Sequence, residues 1–171
     1  MGKLVLFALL AVSATAPAQH VTAQPRVVSW RYQTSKDPLT DKVTTVAVLS
    51  SRNVVRLGFP YGGPVIGRIT VRLDEDRKPE IVFQVNKGQF LCPADTCEMN
   101  TRIDDGPVES YGCEVAADGN SKTMFLGEYY SSDLLPKLSS GKRLRIAADF
   151  YQDTSRTFEF LPAGLDLARL K

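Results

Sequence analysis

Three cysteines are the side chains of this sequence whose chemistry is easiest to define. Cys92 and Cys97 bracket Pro93, Ala94, Asp95 and Thr96, a four-residue stretch whose Pro and Asp favour a tight turn. Strands flanking such a turn hold opposed residues with Cα atoms about 4.5 to 5.5 Å apart, within the span of a disulfide. The spacing therefore predicts a Cys92–Cys97 bridge. It closes a very short loop, so it contributes less than the ~3 kcal/mol expected of a 15-residue loop and serves mainly to pin the turn. Four intervening residues do not match the C-x-x-C spacing of redox and zinc sites. Cys113 is then left as a free thiol. Its neighbour Glu114 raises the thiol pKa, and no base accompanies it, so it reads as buried and inert. Intermolecular pairing through Cys113 is the alternative and would make a covalent dimer.

Acid–base chemistry is restricted by a single count. The one histidine of the chain is His20, near the N-terminus and outside the predicted domain. A domain without histidine builds neither a Ser-His-Asp nor a Cys-His arrangement, and it lacks the commonest general base and zinc ligand. Catalysis would rest on carboxylates, Lys or Tyr. The acidic groups Asp74-Glu75-Asp76 and Asp104-Asp105-Gly106 lack the spacing of a calcium loop and fall in predicted turns, where Asp and Gly are expected for backbone reasons. No catalytic residue, metal site or cofactor is expected. Candidate binding residues are the aromatic set Trp30, Tyr32, Tyr151 and the adjacent Tyr129 and Tyr130, a possible platform for a sugar or peptide, and Asp95 at the tip of the bridged loop. Trp30 also suits a core lid. On a strand, Tyr129 and Tyr130 point to opposite faces.

These groups must be positioned by strands. Alternation is clearest from Ile66 to Leu73, with Ile69, Val71 and Leu73 on one face and Arg68, Thr70 and Arg72 on the other, and it resumes at Ile81, Phe83 and Val85. Further strands are predicted over 43–50, 54–59, 89–92, 97–104, 108–115, 123–128, 142–151 and 154–160, with turn residues between them. One helix is predicted over Ser131 to Leu138, with Ser132 as its cap and Gly141 as its stop. A short helical turn is expected within Pro162 to Leu170. The fold class is all-β: an antiparallel β-sandwich or partly closed barrel of about 8 to 10 short strands with one short helix. Basic residues at Arg68, Arg72, Arg77 and Lys78 alternate with apolar or acidic neighbours and read as a solvated strand face.

The N-terminus has the order of a secretory signal peptide: Lys3, an apolar run from Leu4 to Val12, then small residues. Cleavage after Ala18 and cleavage after Ala23 both satisfy the small-residue rule, and the second sets the boundaries used here. They are a signal peptide over 1–23, an extended N-terminal arm over 24–42 and a single β-domain over 43–171. The apolar run is far shorter than the roughly 20 residues a membrane-crossing helix needs, and no later segment is apolar enough to span. The whole chain carries 21 basic and 19 acidic residues, a balance that offers no electrostatic footprint for nucleic acid. The expected location is periplasmic or secreted, where thiols are oxidised.

In order along the chain stand Trp30 with the polar stretch containing Asp37 and Thr40-Asp41, the Gln89-Phe90-Leu91-Cys92 segment, the Arg102-Ile103-Asp104-Asp105-Gly106 turn, and the ending Phe158 to Leu165. This order resembles a broad group of small exported bacterial proteins that includes accessory proteins of type VI secretion systems. The resemblance implies an envelope β-domain. The Cys92 and Cys97 pair departs from the secretion-accessory pattern. The expected function is non-enzymatic protein contact in the bacterial envelope through loops or an edge strand, with another envelope or secreted protein as partner and the oligomeric state left open. Two alternatives stand beside it. One is a carbohydrate-binding or carboxylate-dependent hydrolytic domain, which needs an aromatic row and two convergent carboxylates in one groove. The other is a small secreted enzyme inhibitor that inserts the bridged loop.

Overall fold

Side chains that alternate in the sequence alternate between inside and outside in space. The structure, a computed structural model, describes residues 29–93, 96–116 and 121–170. The predicted signal peptide, His20 and Asp95 lie outside the described residues. In chain order the strands are β1 (Arg31–Lys36), β2 (Val43–Ser50), β3 (Val55–Arg56), β4 (Pro64–Val65), β5 (Gly67–Leu73), β6 (Pro79–Val85), β7 (Thr96–Ile103), β8 (Val108–Val115), β9 (Thr123–Leu126), β10 (Leu144–Ala148) and β11 (Arg156–Phe160). Helix α1 (Glu128–Ser140) lies between β9 and β10, and a 3₁₀ turn (Leu167–Arg169) closes the tail.

Nine strands form one antiparallel sheet in the order β1-β2-β5-β6-β9-β8-β7-β10-β11, while β3 and β4 make a separate ribbon. The architecture is all-β with one α-helix among the described residues. The inward set (Leu49, Ile69, Phe83, Met124, Cys113, Met99, Ile146 and Phe158 among them) forms one continuous core. The sheet curls until its far ends meet. Arg52, just past β2, donates its N–H to the Glu159 carbonyl of β11 at 2.7 Å, and the Asn53 side chain bonds Glu159 N and Thr157 O at 2.7 and 2.9 Å. The Trp30 indole, buried at 8 % exposure, donates to the Pro162 carbonyl at 2.6 Å and ties the start of β1 to the tail.

Four local expectations change. Residues 31–36, within the predicted arm, pair with β2 from Arg31↔Val48 to Lys36↔Val43, because Asp37 builds a tight turn between the strands. Its carboxylate accepts the N–H groups of Thr40 and Leu39 at 2.8 Å, which hold its pKa below the usual carboxylate range. The strand expected over 54–59 shrinks to Val55–Arg56, since the Gly58 N–H goes to the Asp153 side chain at 2.6 Å instead of to a strand. The strand expected over 89–92 is reduced to a bridge between Phe90 and Phe150, because Phe90 N bonds Ser121 O while Leu91 N bonds Asp149 O. Finally, α1 starts at Glu128 behind Gly127, without a side-chain cap. Ser131 is buried, donating to Leu126 O at 3.0 Å and accepting from Ile81 N at 3.1 Å, so its hydroxyl fastens the helix to β9 and β6.

Gly67 marks the tightest point of the curl. A Cβ there would stand 2.8 Å from Phe158 Cδ1 and 3.1 Å from Phe83 Cε2, both in fully buried rings. Gly67→Ala is expected to destabilise by about 1–3 kcal/mol, the usual cost of overpacking, read as a lower urea midpoint with an unchanged slope. An unchanged midpoint would show that the two rings can give way.

Candidate docking surface at the loop end

Three loops gather at the end of the barrel where β2, β6 and β10 finish. The segment 57–64 is tied to 150–153 by Gly58 N to Asp153 Oδ2 at 2.6 Å, and to 86–92 by the Tyr61 hydroxyl and Gln89 Oε1 at 3.2 Å. Tyr151 N then donates to Gln89 O at 2.8 Å. Beneath them Gly88, at φ +106°, brings the backbone against Leu57 and Phe150, where a Cβ would meet Leu57 Cδ1 at 2.5 Å. Only glycine accepts both that φ and that approach.

The same loops put apolar side chains in water. Phe59 is 93 % exposed, Leu91 47 % and Tyr151 45 %. The Cys92–Cys97 disulfide borders them, with a Cα separation of 4.4 Å. The bridge has a different setting from the hairpin expected: Cys92 is on no strand, and the strand partner of Cys97 is Cys113 of β8. Cys113 is a free, buried thiol whose Sγ lies 3.6 Å from the Tyr111 carbonyl, and burial pushes its pKa up to about 12. It is therefore protonated at neutral pH.

The aromatic candidates do not form one platform. Trp30 is enclosed by the tail and has no face to offer. Tyr129 and Tyr130 lie in the first turn of α1, not on a strand, and are remote from the loop end. Tyr129 is exposed, and its ring packs edge-on against Tyr130, which in turn packs on Tyr111. Sequence reasoning missed Phe59 and Leu91. Their only signal was an apolar residue beside turn-forming Gly58-Phe59-Pro60 and Cys92-Pro93.

The acidic turns do backbone work, as read from the sequence. Asp74 Oδ1 accepts Lys78 N at 2.8 Å, and Asp104 Oδ1 accepts the N–H groups of Lys142 and Arg143 at 3.1 and 2.8 Å. A network of titratable side chains lies elsewhere, between α1 and β8. Lys137 Nζ reaches Glu109 Oε2 at 2.8 Å, Asp133 Oδ2 at 2.7 Å and the Tyr111 hydroxyl at 3.1 Å, while that hydroxyl donates to Asp133 at 2.7 Å. Burial, followed by the bond to Asp133, holds the Tyr111 phenol well above its ordinary pKa. Burial opposes the charge on Lys137, but the bonds to Asp133, Glu109 and Tyr111 outweigh it and raise its pKa. A charged lysine and a neutral phenol are the wrong states for a nucleophile and a base. This network clamps the helix to the sheet.

Comparison with known proteins adds no relative. No family model, curated protein or solved structure matches the chain. Among the described residues no group of three metal-ligating side chains converges, and no helix is long and apolar enough to cross a membrane.

Two measurements test this end of the barrel. Iodoacetamide at pH 8 should leave Cys113 unlabelled in the folded, oxidised protein and label it once on unfolding, as counted by mass spectrometry; labelling of the native state would show the thiol to be accessible. Asp153 is held below the usual carboxylate range by the Gly58 N–H first, then by Thr154 N–H. Since its folded pKa is depressed, its stabilisation is present above the unfolded value of about 4 and is lost as pH falls through the folded one. Asp153→Asn should therefore melt below the wild type at pH 7, with the gap closing towards pH 2. A gap independent of pH would remove the carboxylate charge from the account.

Proposed function

We propose that this chain is an exported, non-enzymatic binding domain of the bacterial envelope that acts by protein contact through its loop end. The observation that carries the reading is Phe59, almost wholly in solvent, with exposed Leu91 and Tyr151 on the neighbouring loops, which Asp153 and Gln89 join to one another and the Cys92–Cys97 disulfide fixes to β7. Large apolar anchors on a preorganised frame lose little entropy when a partner buries them, and anchors of this kind dominate binding energy at protein interfaces. The fitting partner is an envelope or secreted protein with an apolar pocket for a Phe side chain.

The edge strands support this choice by contrast. β1 presents Arg31, Gln33, Ser35 and Lys36, a polar edge of the kind that resists strand addition, and the β11 edge is occupied by Arg52 and Asn53. Loops are therefore the better route than an edge. The hydrolytic alternative requires two carboxylates converging on open space, whereas Glu109 and Asp133 converge on Lys137. Export draws support from the signal-peptide pattern and from the Cys92–Cys97 bridge.

A photo-crosslinking residue placed at Phe59 tests the reading, with Val108, an exposed apolar residue at the opposite end of the barrel, as control. Position 59 should yield a defined adduct in the envelope fraction and position 108 should not. Phe59→Ser should then weaken binding of the purified partner by about tenfold or more, with the fold unchanged by circular dichroism. Equal adducts from both positions, or undiminished affinity, would overturn it.

A further inference from the structure

Of the basic residues grouped between Arg68 and Lys78, three are engaged. Arg72 grips Glu80 through two bonds of 2.8 Å, Lys78 reaches Glu128 at 3.1 Å, and Arg77 donates to Leu170 O at 3.1 Å. Arg68 differs: among the described residues it makes no hydrogen bond or ion pair. It projects from the outer face of β5 between Ser50 of β2 and Gln84 of β6, and Gln84 is paired with Thr123 of β9. These four side chains make one polar row across four neighbouring strands. Arg31 of β1, opposite Val48, adds a second guanidinium without a partner among the described residues.

Together they line an open groove of about 470 Å³, in whose wall Lys122 also stands, and none of the described residues lining it is a carboxylate. Ser50 is only 8 % exposed, yet its hydroxyl has no hydrogen-bond partner among the described residues. Two guanidiniums that find no acceptor among the described residues line this one groove, and an oxyanion bound there would supply acceptors to both. Their planar forks match the oxygens of phosphate or carboxylate. Two positive charges balance a dianion better than a monoanion, and a phosphate monoester carries about −1.5 to −2 at pH 7. The row formed by Ser50, Gln84 and Thr123 supplies neutral donors and acceptors suited to hydroxyl groups. The groove volume falls within the roughly 300–1,000 Å³ usual for small-ligand sites.

We infer that this groove binds a phosphate monoester carried on a small polyol, either free or as the headgroup of a membrane lipid. The site lies on the sheet face and reaches the loop end at Asn86.

Isothermal titration of the full mature chain with inositol monophosphate tests the site, with inositol alone as control. Saturable binding of the phosphate and none of inositol is expected. Arg68→Gln should weaken it about tenfold or more, because charge-assisted hydrogen bonds are lost. Arg72→Gln removes the same charge from the same strand face but from a residue already held by Glu80, and should leave binding unchanged. Co-sedimentation with vesicles bearing phosphatidylinositol phosphate, competed by inositol monophosphate, identifies a lipid source; titration binding without co-sedimentation identifies a free one. Absence of binding in both assays, or equal losses in Arg68→Gln and Arg72→Gln, would overturn the assignment.

Discussion

Phe83 of β6 lies in ring contact with Phe158 and Phe160 of β11, at centroid distances of 5.5 and 6.3 Å. In the order of the sheet these strands are five places apart, so a flat sheet would separate them by roughly 24 Å at the usual strand spacing. Contact between the rings therefore requires the sheet to curl, and burial of five large aromatic side chains, Phe90 and Phe150 included, is the driving term. Gly67 removes the one side chain that would hold the rings apart. The bonds from Arg52 and Asn53 to β11 then close the seam, satisfying backbone groups that an open edge would leave to solvent.

Curling has a geometric consequence for function. It divides the connections between two ends, one crossed by α1 and the other formed by three loops in mutual contact. At the helix end the titratable side chains satisfy one another, and Tyr111 and Lys137 are held in the protonation states that suit structure. At the loop end the polar groups, Asp153 above all, bind backbone and leave Phe59, Leu91 and Tyr151 facing outward. The two ends thus differ: one satisfies its polar side chains internally, and the other leaves apolar side chains in water. The outer sheet face shows a similar contrast on a smaller scale, with Arg72 matched by Glu80 and Arg68 left open beside Ser50.

Much of the framework was legible from local pattern. Alternation located the inward residues of β5 and β6, and the turn chemistry of Asp74 and Asp104 anticipated their roles as backbone acceptors. The Cys92–Cys97 pairing followed from spacing. The errors have physical causes. β1 is polar along nearly its whole length, so its strand character comes from pairing with β2 and not from its own pattern. The start of α1 was missed because Ser132, read as its cap, is an exposed residue inside the helix, which begins one turn earlier behind Gly127 without a side-chain cap. Phe59 and Leu91 carried no periodic signal, since exposure in a loop is set by the loops packed around it.

The sequence by itself determined the class of fold, the inward face of the best-patterned strands and the disulfide, because these depend on residues two to five positions apart. Only the tertiary structure decided which apolar residues remain in water, which arginines lack a side-chain partner among the described residues and which groups surround Lys137. Those properties depend on contacts between segments far apart in the chain, such as Gly58 with Asp153 or Lys137 with Glu109, and local spacing does not specify how the curled sheet brings them together.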